Sequence, residues 1–156
     1  ALNYAADILG ADRAYVFQFH NGGHYYSGRG QQKFSCTHEV VGHGISAEHV
    51  NSQNHRVSSY HPYIVELLEN GFFIHADIEE IKDGAFLRLI EKKGVKSILN
   101  VPIKTLNGKI IGILGVDYVK DSMPEIQSES GAQQTASDDP VFLLKNQARA
   151  IAGYLV

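Results

Sequence analysis

Hydrophobic residues are densest over Ser97–Tyr118, SILNVPIKTLNGKIIGILGVDY. Ser97–Lys104 and Ile110–Tyr118 are rich in β-branched and aliphatic residues, and Leu106-Asn107-Gly108-Lys109 lies between them. Apolar runs separated by Asn-Gly predict a hairpin, because both residues accept the positive φ of a type I′ turn. Neither run alternates with polar residues, so both strands are expected near the middle of a sheet covered on both faces. Pro102 has no N–H and predicts a bulge or a place where the ladder is not needed. Gly112 and Gly115 leave room for a helix or a ligand to approach the sheet closely.

The flanking pattern is mixed. Ala1–Gly10 reads as a helix end with Leu2 and Leu9 on one face. Arg13–His20 reads as a strand with Tyr15, Phe17 and Phe19 on one side, and Ala14, Val16, Gln18 and His20 on the other. A glycine-rich loop, Asn21–Gln32, leads to a second strand at Lys33–Val41, and a hairpin is the simplest connection. Gly42–His61 shows no period. Pro62–Asn70 and Gly84–Lys93 read as helices, with Asp83 as an N-cap, and Phe72–Ala76 as a short strand between them. Asp121–Asp138 is poor in hydrophobic residues and reads as a mobile loop. Asp139 and Pro140 start a last helix whose Val141, Leu144, Ala148, Ile151 and Leu155 form one stripe. Hairpins interleaved with helices predict an α+β fold. Its central antiparallel sheet of five to six strands would have the terminal helices on one face, and short helices and loops on the other.

Composition narrows the class. The chain has 156 residues, enough for one domain with a real core, and 1–156 is read as a single domain. It is 44% hydrophobic and 20% charged, with net charge −3, so nucleic-acid binding has no electrostatic support. The apolar runs are too short to span a membrane. The chain begins inside an apparent helix, as expected of a segment excised from a longer protein. Any membrane link would come from an upstream part. Cys36 is the only cysteine. It allows no internal disulfide and points to a reducing compartment, so the expected location is cytoplasmic.

Gly94–Tyr118, GVKSILNVPIKTLNGKIIGILGVDY, resembles the paired strands of GAF domains: a small-apolar-Pro-apolar step, a turn carrying Gly, and a Gly-apolar-apolar run. Arg13–Phe19 after a short helix is similar to the family's first strand. The segment HNGGHYYSG followed by KFSCTHE also looks like a subgroup of GAF-like proteins from phages and bacteria. The resemblance implies a regulatory or sensory module, which binds a small molecule between the sheet and the middle helices and often dimerises through its terminal helices. It also implies that Cys36 is not the linking cysteine of the tetrapyrrole-binding members, which lies later in the fold. Sulfoxide reductases of this type need several cysteines.

Within that frame the residues offer several chemistries. Phe17, Phe19, Tyr25, Cys36, His38, Asn100 and Asp117 are the candidate ligand-binding residues. Tyr25 and Tyr26 would stack on a planar ligand and Arg29 would pair with an anion, or all three simply pack the loop. Asn100 and Asp117 are polar residues in apolar strands and need partners, from a ligand or from within the chain. Cys36 and His38 stand two apart on a strand and so are expected on the same side, as a Cys–His nucleophile requires. No activating third group is evident, and catalytic residues are expected to be none. His20, His24, Cys36, His38, Glu39 and His43 gather around the first hairpin. A zinc site there, or an enzyme using His20, Cys36 and His38, is the alternative, although no compact ligand spacing is present. No cofactor is named by the sequence. The expected partners are a small-molecule ligand and a second copy, joined through the terminal helices.

Overall fold

The computed structural model describes residues 1–21, 32–123 and 139–155. In chain order the elements are α1 (Leu2–Leu9), β1 (Arg13–His20), β2 (Lys33–Val41), β3 (His55–Arg56), α2 (His61–Asn70), β4 (Phe73–His75), α3 (Gly84–Glu91), β5 (Ser97–Lys104), β6 (Ile110–Tyr118) and α4 (Pro140–Leu155). Single 3-10 turns precede α2, at Val57–Tyr60, and α3, at Ile78–Glu80. The six strands form one sheet in the order β3-β2-β1-β6-β5-β4, and every pair is antiparallel. The α+β architecture expected from the hydrophobic pattern is therefore present, with β1, β5 and β6 at its centre.

Strand alternation splits the core into two layers. Ala14, Val16, Leu99, Val101, Leu114 and Val116 face α1 and α4. Tyr15, Phe17, Ile98 and Ile113 face α2, α3 and the connections around them. Asp83 ties this second layer together. One carboxylate oxygen caps α3 by accepting the Phe86 N–H (3.0 Å), and the other accepts the Tyr63 N–H of α2 (3.2 Å).

Three details refine the expectation. The β5–β6 turn is not type I′, because Asn107 keeps a negative φ and only Gly108 is left-handed (φ 84°). The Gly108 N–H closes the turn on the Thr105 carbonyl at 2.9 Å, and a register shift at Ile103/Lys104 absorbs the extra residue. The stripe on α4 is used within the chain: Leu144, Ala148 and Ile151 are buried against the sheet. The outward apolar residues of the terminal helices are instead Tyr4, Phe142 and Tyr154. Third, β3 lies in the stretch that showed no period. The expected mobile loop, beyond Met123, is outside the described residues, as are Tyr25, Tyr26, Arg29 and His24.

Candidate functional site

β1 opens with Arg13, which stands opposite Asp117 in the β1–β6 register. Both side chains turn to the α2–α3 side, where water is excluded: Arg13 is 1% and Asp117 2% exposed. Arg13 Nη1 donates to Asp117 Oδ2 at 2.7 Å. The other oxygen, Oδ1, accepts the Tyr15 hydroxyl at 2.8 Å. The Tyr15 oxygen accepts from Asn100 Nδ2 at 3.0 Å, and Tyr63 of α2 donates to Asn100 Oδ1. A chain of polar groups thus runs from β1 through β6 and β5 to α2 beneath an aromatic layer. Each buried polar atom in it has a partner, which is what makes such a network tolerable in a low-dielectric interior.

The rest of the Arg13 guanidinium holds the surface segment after β2. Its Nε and Nη2 reach the Ser46 carbonyl (3.3 and 3.1 Å), and Nη2 also reaches Ser46 Oγ and the Lys93 carbonyl. Glu39, 3.8 Å from Arg13 Nε, accepts the backbone N–H groups of Glu48 and His49. Lys93 follows α3. Its Nζ donates to Ser52 Oγ at 2.7 Å and stands 5.7 Å over the Phe17 ring.

Between these groups lies a cavity of about 20 Å³, room for about one water molecule. Arg13, Asp117 and Asn100 form part of its base, Phe17, Phe34 and Phe86 its apolar walls, and Cys36, Glu39, Glu48 and Lys93 its polar side. Burial pushes the Asp117 carboxyl upward, and the Arg13 guanidinium and the Tyr15 hydroxyl pull against that shift. Burial also raises Tyr15, with the Asp117 charge adding to it, and raises Tyr63. Lys93 is lowered by burial, with Asp117 opposing.

Of the candidate residues, Phe17, Cys36, Asn100 and Asp117 line this cavity. Asn100 and Asp117 find their partners inside the chain. Phe19 is buried in the same aromatic layer, 6.2 Å from the Phe34 ring, but does not reach the cavity. His38 is exposed and bonds Thr37 Oγ1. The expectation that Cys36 and His38 share a face fails because β2 bulges between them: Phe17 pairs with Cys36 and Val16 with His38, so Thr37 is extra and the alternation slips. His20 is buried against Ser35 on the opposite side of β1 from Phe19. Among the described residues no three His, Cys, Asp or Glu side chains converge as metal ligands. The set His20, Cys36 and His38 is pulled apart by strand alternation and the bulge.

Arg13, Tyr15, Tyr63 and Lys93 were not singled out by sequence. The available signal was Arg13 itself, a full charge at the head of a strand otherwise apolar toward the same face, matched by Asp117 near the end of another.

Cys36 is 3% exposed, and burial, followed by the nearby Glu39 charge, pushes its thiol up to about 12. A thiolate is the reactive form, so iodoacetamide at pH 8 is expected to leave Cys36 unmodified in the folded chain and to label it only on unfolding. Mass spectrometry after timed alkylation checks this; fast labelling of the folded chain would contradict it.

His55 lies among Phe17, Phe34 and Tyr60, and its buried Nε2 has no hydrogen-bond partner among the described residues. Burial and then the Lys93 charge lower it from 6.5 to about 4. The folded state therefore binds fewer protons at this group than the unfolded state. The stability it contributes is full above pH 6.5 and falls away as pH drops toward 4. His55→Phe is expected to remove about 1–3 kcal/mol of this pH dependence, read from urea unfolding at pH 7 and pH 4.5. An unchanged pH slope would contradict it.

The sequence profile of the GAF domain matches residues 1–136. The chain belongs to the GAF domain family. This GAF domain matches none of the curated proteins. Several solved structures share its fold. The GAF domain of Thermosynechococcus elongatus PixJ, in its blue-light-absorbing form, has a TM-score of 0.67 at 17% identity, covering 99% of this chain and 81% of that one. GAF3 of a Synechocystis sp. PCC6803 protein, in its photoproduct state, has 0.64 at 16%, covering 99% and 87%. A far-red-absorbing dark state with bound biliverdin IXa has 0.66 at 14%, covering 99% and 84%. At these identities the likeness is one of fold. No helix among the described residues of this GAF domain is long and apolar enough to cross a membrane.

Proposed function

We propose that this GAF domain is a sensory module, regulatory rather than catalytic, and that it binds a small anion-bearing molecule beside Lys93. The observation that carries the reading is the state of the polar groups around the cavity. Arg13 and Asp117 satisfy each other, and Glu39 and Glu48 are held by the 46–51 segment. Lys93 is left half-buried, with Ser52 Oγ as its hydrogen-bond acceptor and no ion pair among the described residues. A desolvated ammonium beside aromatic walls favours a carboxylate or phosphate on an apolar body. Phe17, Cys36, Asn100 and Asp117 would be contact or floor residues.

The cavity holds about one water as it stands, so binding requires Lys93 and the segment after β2 to move aside. One fold neighbour holds biliverdin. The closed cavity and the buried thiol of Cys36 argue for a smaller ligand here. We read 1–156 as one unit because α4 packs on β5, and we read Tyr4, Phe142 and Tyr154 as the surface available for pairing of terminal helices in a homodimer.

A thermal-shift panel of acetate, benzoate, succinate, inorganic phosphate and a mononucleotide tests the site. Saturation at about 100 times Kd adds about 2.7 kcal/mol, an upward shift of roughly 5–10 °C. At least one member is expected to shift the wild type and not Lys93→Met. No shift from any member, or equal shifts in both proteins, would contradict the reading.

A further inference from the structure

A second concavity lies beside α4, away from the Arg13 network. β4 begins at Phe73, opposite Asn100, so β5 beyond Asn100 has no neighbour on that side among the described residues. Between this edge, the 105–109 turn and α4 runs a groove of about 920 Å³. Its floor includes Pro102, Ala148 and Ala152. Its walls carry Lys104, Lys109, Lys145 and Arg149, and no Asp or Glu among the described residues lines it.

Lys104, Lys145 and Arg149 line the groove with no acid beside them among the described residues, in a chain of net charge −3. They concentrate positive potential along one groove. Lys104, Lys145 and Arg149 form no ion pair with any described residue, and Lys145 instead stands 5.7 Å over the Phe72 ring. Leu106, at the tip of the turn, is fully exposed at the mouth of the groove.

The backbone decides what shape of partner fits. An open strand edge invites an added strand, but Pro102 lacks the N–H that would continue the ladder and blunts this edge. Ala148 and Ala152 lie on the sheet-facing side of α4, 4% and 7% exposed, and with Gly153 they put no bulky side chain over the floor, so a second helix can lie along the groove. Cationic walls above an apolar floor match the acidic face of such a helix and the apolar residues beneath it.

We propose that this groove docks an acidic amphipathic helix of a partner protein, with Leu106 packing on its apolar side and Lys104, Lys145 and Arg149 pairing with its carboxylates. The probe is a helical peptide of about 20 residues with Glu on the polar face and Leu at i, i+4 and i+7, alongside the same peptide with every Glu replaced by Lys. Amide spectra of the 15N-labelled chain report both binding and fold.

The acidic peptide is expected to shift amides of 101–109 and 145–153 saturably. Its Kd should rise about tenfold or more in Lys104→Glu/Arg149→Glu and rise with salt, as charge-steered contacts do. Leu106→Ala should weaken it several-fold, while Lys82→Glu, exposed and outside the groove, should leave it unchanged. The proposal is overturned if those amides do not move, if the lysine peptide binds as well, or if the double variant binds unchanged. It is also overturned if tripolyphosphate reproduces the shifts at equal strength, or if raising the protein concentration alone produces them. The first of these two results would mark a small-anion site, and the second a contact between copies.

Discussion

Asp117→Asn is expected to destabilise the chain by about 3–5 kcal/mol, because it removes the nearer of the two carboxylates beside the buried Arg13 guanidinium and leaves only Glu39, 3.8 Å from Nε. Arg13 is 1% exposed, and its shortest contact is the 2.7 Å bond to Asp117. The Ser46 and Lys93 oxygens that bind the rest of the guanidinium are neutral, and Glu39 stands farther off and already accepts the Glu48 and His49 N–H groups, so none of them replaces the 2.7 Å contact. The substitution also replaces the charged acceptor of the Tyr15 hydroxyl. A domain of this size has about 5–15 kcal/mol in total, so urea unfolding should show a large drop in midpoint with little change in slope. Arg13→Met/Asp117→Leu is expected to recover much of the loss, since removing both charges removes the desolvation cost along with the attraction. An Asp117→Asn effect below about 1 kcal/mol, within the range of exposed pairs, would mean that the network is solvated and not buried.

Gly115→Ala is the second large effect. Gly115 faces Tyr15 on β1 and Asn100 on β5. A Cβ built there falls well inside contact distance of the Asn100 amide and the Tyr15 ring. Neither can yield without loosening the bonds joining Asp117, Tyr15, Asn100 and Tyr63. Overpacking of this kind costs about 1–3 kcal/mol, and the broken bonds add to it. At Gly112 the added Cβ meets the Phe17 carbonyl oxygen, which is backbone in the centre of the sheet. Gly112→Ala is therefore expected to be at least as damaging. Thermal unfolding by circular dichroism measures both, and a near-neutral Gly115→Ala would contradict the packing described for Tyr15.

Much of the fold was legible because its central strands are buried on both faces. Ser97–Lys104 and Ile110–Tyr118 show it as near-continuous apolar runs, and Asp83 and Asp139 mark helix starts by capping chemistry. The type of turn was not legible, because Asn-Gly suits either of two hairpin closures and the register shift at Ile103/Lys104 selects the one with Gly108 alone left-handed. β3 is two residues long and leaves no period to detect. The candidate site was half legible. Asn100 and Asp117 stand out as polar residues in apolar strands, whereas Tyr15 and Tyr63 look like any core aromatic until their hydroxyls are placed. Lys93 looks like one lysine of a surface pair until the segment after β2 folds over it. His38 was misplaced because a bulge at Thr37 cannot be read from alternation.

Native mass spectrometry of the wild type and of Lys93→Met, each incubated with the same five panel anions, tests the ligand site most directly. A small noncovalent adduct is expected on the folded wild type, one per chain, that is lost on acid unfolding and is missing from Lys93→Met. Bare wild-type chain with every anion, or the same adduct on Lys93→Met, would contradict it.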